Sequence, residues 1–198
     1  MPGRALEWFH RAGQKPQEQP PRVDYYLDLG EHDSLGIKLR EGRIEIKQRE
    51  AQHGTVHLGP QVAGVMERWR KWSWALAVPD SILAQNSISS PVWIGVEKER
   101  WLLLYQTGLE GEIAPAPDGG VVEQGCQVEL SRIQAQDQVG WSLSFESFGG
   151  KAAGREMLLL VAAHLFSREA IDLRLSVSNS YGYPKWLAML GRADPCFG

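Results

Sequence analysis

The chain is poor in cysteine, in long apolar runs and in net positive charge. Each shortage excludes something. Its 198 residues contain two cysteines, Cys126 and Cys196. They lie far apart and lack metal-ligand spacing, so they read as two reduced thiols rather than a disulfide framework or a zinc site. No segment approaches the ~20 apolar residues of a membrane span, and residues 1–13 hold no apolar stretch of signal-peptide length. Cytoplasmic placement, with no membrane partner, is the expectation. The formal net charge is −3, against the basic excess that non-specific nucleic-acid binding requires. Any anion site must therefore come from local clustering. Phosphate-loop and nucleophile-elbow motifs are also missing.

What is present suits one domain spanning 1–198, long enough to bury a core without staples. Eight tryptophans are many for this length, and their N–H groups place some of them at a rim or pocket. Residues 36–41 and 43–49 alternate aliphatic and charged side chains on either side of Gly42, which predicts a tight hairpin of two strands. Residues 92–105 place Ile94, Val96, Lys98 and Arg100 on one parity. Residues 127–133 and 140–148 read as further strands. Residues 5–10 read as a short first strand, 14–22 as a proline-rich loop and 23–29 as a strand. Two helices are expected. One covers 60–76, from the spacing of Val62, Val65, Met66, Trp69 and Trp72. The other covers 151–167. A last strand is expected at 171–176, and an aromatic C-terminal cluster at Tyr181, Tyr183 and Trp186. The fold class is α+β: seven or eight mostly antiparallel strands forming a barrel, with two or more helices.

A strand sends residues i, i+2 and i+4 to one face. If the sheet curls, the charged parity converges: Lys38 and Arg40, then Arg43, Glu45, Lys47 and Arg49, then Lys98 and Arg100. Either Glu129 or Arg132 joins them, depending on register, and Glu146 follows. Such cations bind phosphate oxygens, and carboxylates among them suit magnesium. The plain alternative is a solvated strand face. His53 and His57 read as strand or loop histidines, and His164 as an interior or boundary residue of a helix.

Residues 24–27 (Asp-Tyr-Tyr-Leu) and 35–47 (Leu-Gly-Ile-Lys-Leu-Arg-Glu-Gly-Arg-Ile-Glu-Ile-Lys) resemble the early part of a CYTH domain, the triphosphate tunnel family. Lys98 and Arg100 are similar to its later lysine-x-arginine strand, and residues 145–149 to its later acidic strand. The resemblance implies a closed antiparallel barrel with a charged lumen that takes a triphosphate or another phosphorylated ligand, often hydrolysed with Mg2+ or Mn2+. It implies phosphate contacts from Arg40, Lys47, Lys98, Arg100 and Arg132, with Lys38 beside them, and metal contacts from Glu7, Glu45 and Glu146. The family's first strand reads glutamate-x-glutamate-x-lysine. Here Glu7 is followed by Phe9 and Arg11, which leaves hydrolysis open. Three readings remain: phosphate binding with or without hydrolysis, a non-catalytic interaction barrel, and a barrel for an apolar ligand. The direction in which Arg40, Lys47, Lys98 and Arg100 point separates the first from the last.

Overall fold

The computed structural model describes residues 2–11, 14–59, 61–77, 92–107, 112–117, 122–149, 154–167 and 174–190. Helix α1 (Pro2–Arg11) is followed by β1 (Gln17–Leu27), β2 (Leu35–Arg40), β3 (Arg43–Gly59), β4 (Val62–Ala75), β5 (Trp93–Thr107), β6 (Ile113–Pro115), β7 (Gly125–Ala135) and β8 (Gln138–Phe148). Helix α2 (Gly154–Ser167), a short 3-10 turn (Val177–Asn179) and helix α3 (Tyr183–Leu190) complete the order. The strands pair antiparallel in the order β4-β3-β2-β1-β5-β7-β8, with β6 added beside β5. This is the expected α+β architecture, with three helices and the sheet curled into a half-barrel.

The curl shows in one contact. Lys47 on β3 and Glu146 on β8 lie 3.3 Å apart, although four strands separate β3 from β8 along the sheet. In a flat sheet those strands would stand about 24 Å apart. Helix α2 packs against β7 and β8 and also against β3, so it lies across the seam where the two ends of the sheet approach. Among the described residues no ladder joins β4 to β8.

The main core lies outside the curl. Trp101, Leu103 and Tyr105 of β5, with Cys126, Val128 and Leu130 of β7, are buried beneath Trp8 and Phe9 of α1 and Val161, Leu165 and Phe166 of α2. Trp8 stacks flat on Phe166 with ring centroids 5.4 Å apart. Helix α3 instead sits at one end of the concave side. Its Leu187 and Leu190 join Tyr26, Ile94, Val96, Ile133 and Ala135 in a second cluster.

Three local expectations are corrected. Residues 5–10 form part of α1, because Ala5, Trp8 and Phe9 share a helical face buried on the sheet. Residues 62–75 form β4, paired with β3 along its length. The strand buries Val62 and Met66 on one face and turns Trp69 to the other. Apolar residues divided between two faces give both odd and even spacings, which a helical stripe also accepts. The loop expected at 14–22 is the start of β1, with a register shift between Gln19 and Arg22 that absorbs Pro20 and Pro21. The expected hairpin is present. Its two-residue turn has positive φ at Glu41 (48°) and Gly42 (67°), as a type I′ turn requires. Half of the strand expected at 171–176 lies outside the described residues; Leu175 makes a parallel bridge to Val62. Cys196 lies outside them too.

Candidate functional site

Register decides which side chains enter the half-barrel. Tyr26 pairs with Lys38 and Lys38 with Glu45, so even positions of β1 and β2 share a face with odd positions of β3. Lys47 pairs with Lys71 of β4. On the other side Arg22 pairs with Lys98, and Arg100 with Ser131. The concave face therefore gathers Arg22 and Asp24 of β1, Lys38 and Arg40 of β2, and Arg43, Glu45 and Lys47 of β3. Arg49 of β3, Lys71 of β4, Lys98 and Arg100 of β5, Glu129 of β7 and Glu146 of β8 share this face. Arg40, Lys47, Lys98 and Arg100 all point inward, so the apolar-lumen reading falls.

Two buried carboxylates organise these cations. Asp24 is fully buried and lies 3.0 Å from both Lys38 Nζ and Lys98 Nζ, with Arg22 Nε 3.1 Å away. Burial alone would raise its pKa, but Lys98, Lys38 and Arg22 together hold the carboxyl well below the usual range. Glu45 receives Arg40 at 2.8 Å, Lys71 at 2.9 Å and Lys38 at 3.2 Å. Burial opposes its ionisation too, and Lys71, Lys38 and Arg40 outweigh it and lower its pKa.

Lys98 is only 4% exposed. Its ammonium donates to Tyr26 Oη at 2.8 Å and lies 3.8 Å from the centroid of the Tyr183 ring, which stacks on Tyr26. Burial pulls its pKa down to about 7, against the attraction of Asp24. Lys38 is lowered by burial as well. The phenols of Tyr26 and Tyr183 are pushed up by burial and remain protonated.

Three arginines keep an unanswered donor despite these pairs. The Nε–H groups of Arg22, Arg40 and Arg100 are buried and have no hydrogen-bond acceptor among the described residues. Arg22 Nε is close to Asp24 but not aligned for a hydrogen bond. Arg100 is 11% exposed, and its charged neighbour Glu129 stands 3.7 Å away. Burial lowers the Arg100 pKa, and the like charges of Arg22 and Arg40 push the same way. Arg100 thus lies near two like-charged guanidinium groups, and each of the three arginines has a buried Nε–H with no acceptor among the described residues.

Two candidate residues fall elsewhere. Arg132 is corrected to the outer face, where it pairs with Glu99 at 2.8 Å; the register puts Glu129 inside in its place. Glu7 is corrected to an exposed position on α1, outside the sheet. The first departure removes a phosphate candidate, and the second weakens the metal expectation. The remaining acidic candidates do not fit a divalent ion either. Both oxygens of Glu45 already face cations, and Glu146 lies at the rim against Lys47. Among the described residues no three His, Cys, Asp or Glu side chains come together as a cation site.

His53 and His57 lie exposed on β3. His164 lies on α2 with its ring against Tyr105. Cys126 is buried, and burial pushes its thiol up to about 12. Among the described residues no helix is long and apolar enough to cross a membrane. Sequence reasoning missed Arg22 and Lys71 as site residues. The alternation Arg22-x-Asp24-x-Tyr26 carried the signal for the first, but the prolines before it read as a loop.

No protein-family model, curated protein or solved structure matches the chain.

Proposed function

We propose that the concave face binds a phosphorylated polyanion. The observation that carries this reading is the group of three arginines, from adjacent strands β2, β1 and β5, whose buried Nε–H donors have no acceptor among the described residues. Holding like charges together and leaving donors unanswered costs folding free energy. A phosphate group would remove both penalties, because its oxygens accept charge-assisted bonds from arginine. The likeness of residues 24–27 and 35–47 to the triphosphate tunnel family points the same way. The carboxylates that would hold a metal are engaged or displaced, so the reading is binding, and no hydrolytic step is derived.

The test is titration calorimetry with inorganic triphosphate on the wild type and on Arg40→Ala. Glu45 keeps Lys38 and Lys71 in that variant, so stability should change by only about 1 kcal/mol. Affinity should fall roughly tenfold or more, the scale of one lost hydrogen bond to a charged group. Absent binding, or equal free-energy losses in stability and affinity, would defeat the reading.

A further inference from the structure

The interior is not uniform around the curl. Inward positions of β1, β2, β3, β4 and β5 all include arginine or lysine. The inward positions of β7 and β8 include none. There the register sets Arg100 opposite Ser131 and Ser131 opposite Ser142, then Glu129 opposite Ser144 and Gln127 opposite Glu146. Beside the arginines, the wall is thus built of hydroxyl, amide and carboxylate groups. A chain of phosphates extended across it would meet the carboxylates of Glu129 and Glu146, and β7 and β8 offer no inward cation of their own; Lys47, across the curl, already faces Glu146. A group bearing hydroxyls would meet acceptors for its protons and serines able both to donate and to accept.

Spacing supports the same division. From β5 to β8 is two strand steps, about 10 Å. A phosphate held at Arg100 would place an attached sugar-sized group against Ser142 and Ser144. Gly140, Ser142 and Ser144 are small, and Ser144 is exposed; Tyr183 lies near Ser142. Glu129 lies at the junction, accepting from Ser131 Oγ at 2.7 Å while facing Arg100.

We infer that the ligand is a phosphorylated polyhydroxy compound, with its phosphate at the arginines of β1, β2 and β5 and its hydroxyl groups against the serine wall of β7 and β8. This inference rests on the proposed phosphate site.

The experiment is calorimetric titration with ribose 5-phosphate and with orthophosphate on the wild type, Arg100→Gln, Ser144→Ala and Ser142→Ala/Ser144→Ala. Circular dichroism and thermal unfolding check that each variant folds. The single variant at the exposed position serves if the double one does not. Ribose 5-phosphate should bind roughly tenfold tighter than orthophosphate. The serine variants should reduce that advantage and leave orthophosphate affinity unchanged, whereas Arg100→Gln should weaken both. If ribose 5-phosphate binds no tighter than orthophosphate, or the serine variants leave its advantage intact, while both still depend on Arg100, this inference fails and the phosphate site stands. If neither compound binds, or binding ignores Arg100→Gln, the phosphate site itself fails.

Discussion

The two faces of β5 do opposite things. Outward, Trp101, Leu103 and Tyr105 lie beneath two helices in a continuous apolar core. Inward, Lys98 and Arg100 are almost as well buried, yet they sit among charges, and the Nε–H groups of Arg22, Arg40 and Arg100 have no acceptor among the described residues. Removal from water is similar on both sides, but its energetic meaning is reversed. Apolar burial stabilises the fold at about 25 cal/mol per Å2. Burying ions costs free energy that their pairing only partly returns. The outer face explains why the sheet is stable. The inner face is what that stability supports.

This contrast can be broken or sharpened by substitution. The largest effect should come from Phe9→Ala in the outer core, a loss of about 3–5 kcal/mol in urea unfolding, with anion affinity unchanged in the folded fraction. Asp24→Asn should cost nearly as much, about 3 kcal/mol, because Lys38, Lys98 and Arg22 then share a buried site without their carboxylate. Adding Lys98→Met should recover part of that loss; if the double variant is less stable still, Asp24 does not act through this charge balance.

A third prediction concerns pH. The unfolded chain keeps the Lys98 proton up to its ordinary value of 10.5, whereas the folded protein releases it at about 7. Between those values unfolding takes up a proton, so the Lys98 contribution raises stability with pH across that window. Anion binding should move the other way, weakening as pH rises through about 7 and the ammonium discharges. Sulfate is a suitable probe, since its own charge is constant there. A sulfate affinity that stays flat through this range in the wild type, or falls equally in Lys98→Met, would remove Lys98 from the site. The smallest effect belongs to Glu146→Gln. Its pair with Lys47 is 60% and 40% exposed, so stability should move by only a few tenths of a kcal/mol.

Much of this interior was legible in the chain because a strand's parity is local. Residues 36–49 announce a hairpin through alternation and a glycine at the turn, and Lys38, Arg40, Glu45 and Lys47 all fall where alternation puts them. The misreadings arose where local pattern gave way to pairing. Glu129 and Arg132 lie on opposite faces of β7, and only the ladder to β5 selects between them. Pro20 and Pro21 signal a loop, yet β1 tolerates them at a register shift, and its pairing with β2 occurs farther along, at Tyr25 and Tyr26. Trp69 and Trp72 share a helical face on paper and opposite faces of β4 in the fold. Glu7 was placed by likeness to a strand, but the burial of Trp8 and Phe9 against the sheet makes a helix there.

The seam beneath α2 has a mechanical consequence. A barrel closed by a continuous ladder has a girth fixed by its strand number and stagger. Here the described ends of the sheet meet through a helix packed across them and one exposed ion pair. Parting those ends would break no strand-to-strand backbone hydrogen bond among the described residues. Among the described residues the circumference is therefore held by side-chain contacts, like a belt fastened by a buckle rather than a welded hoop.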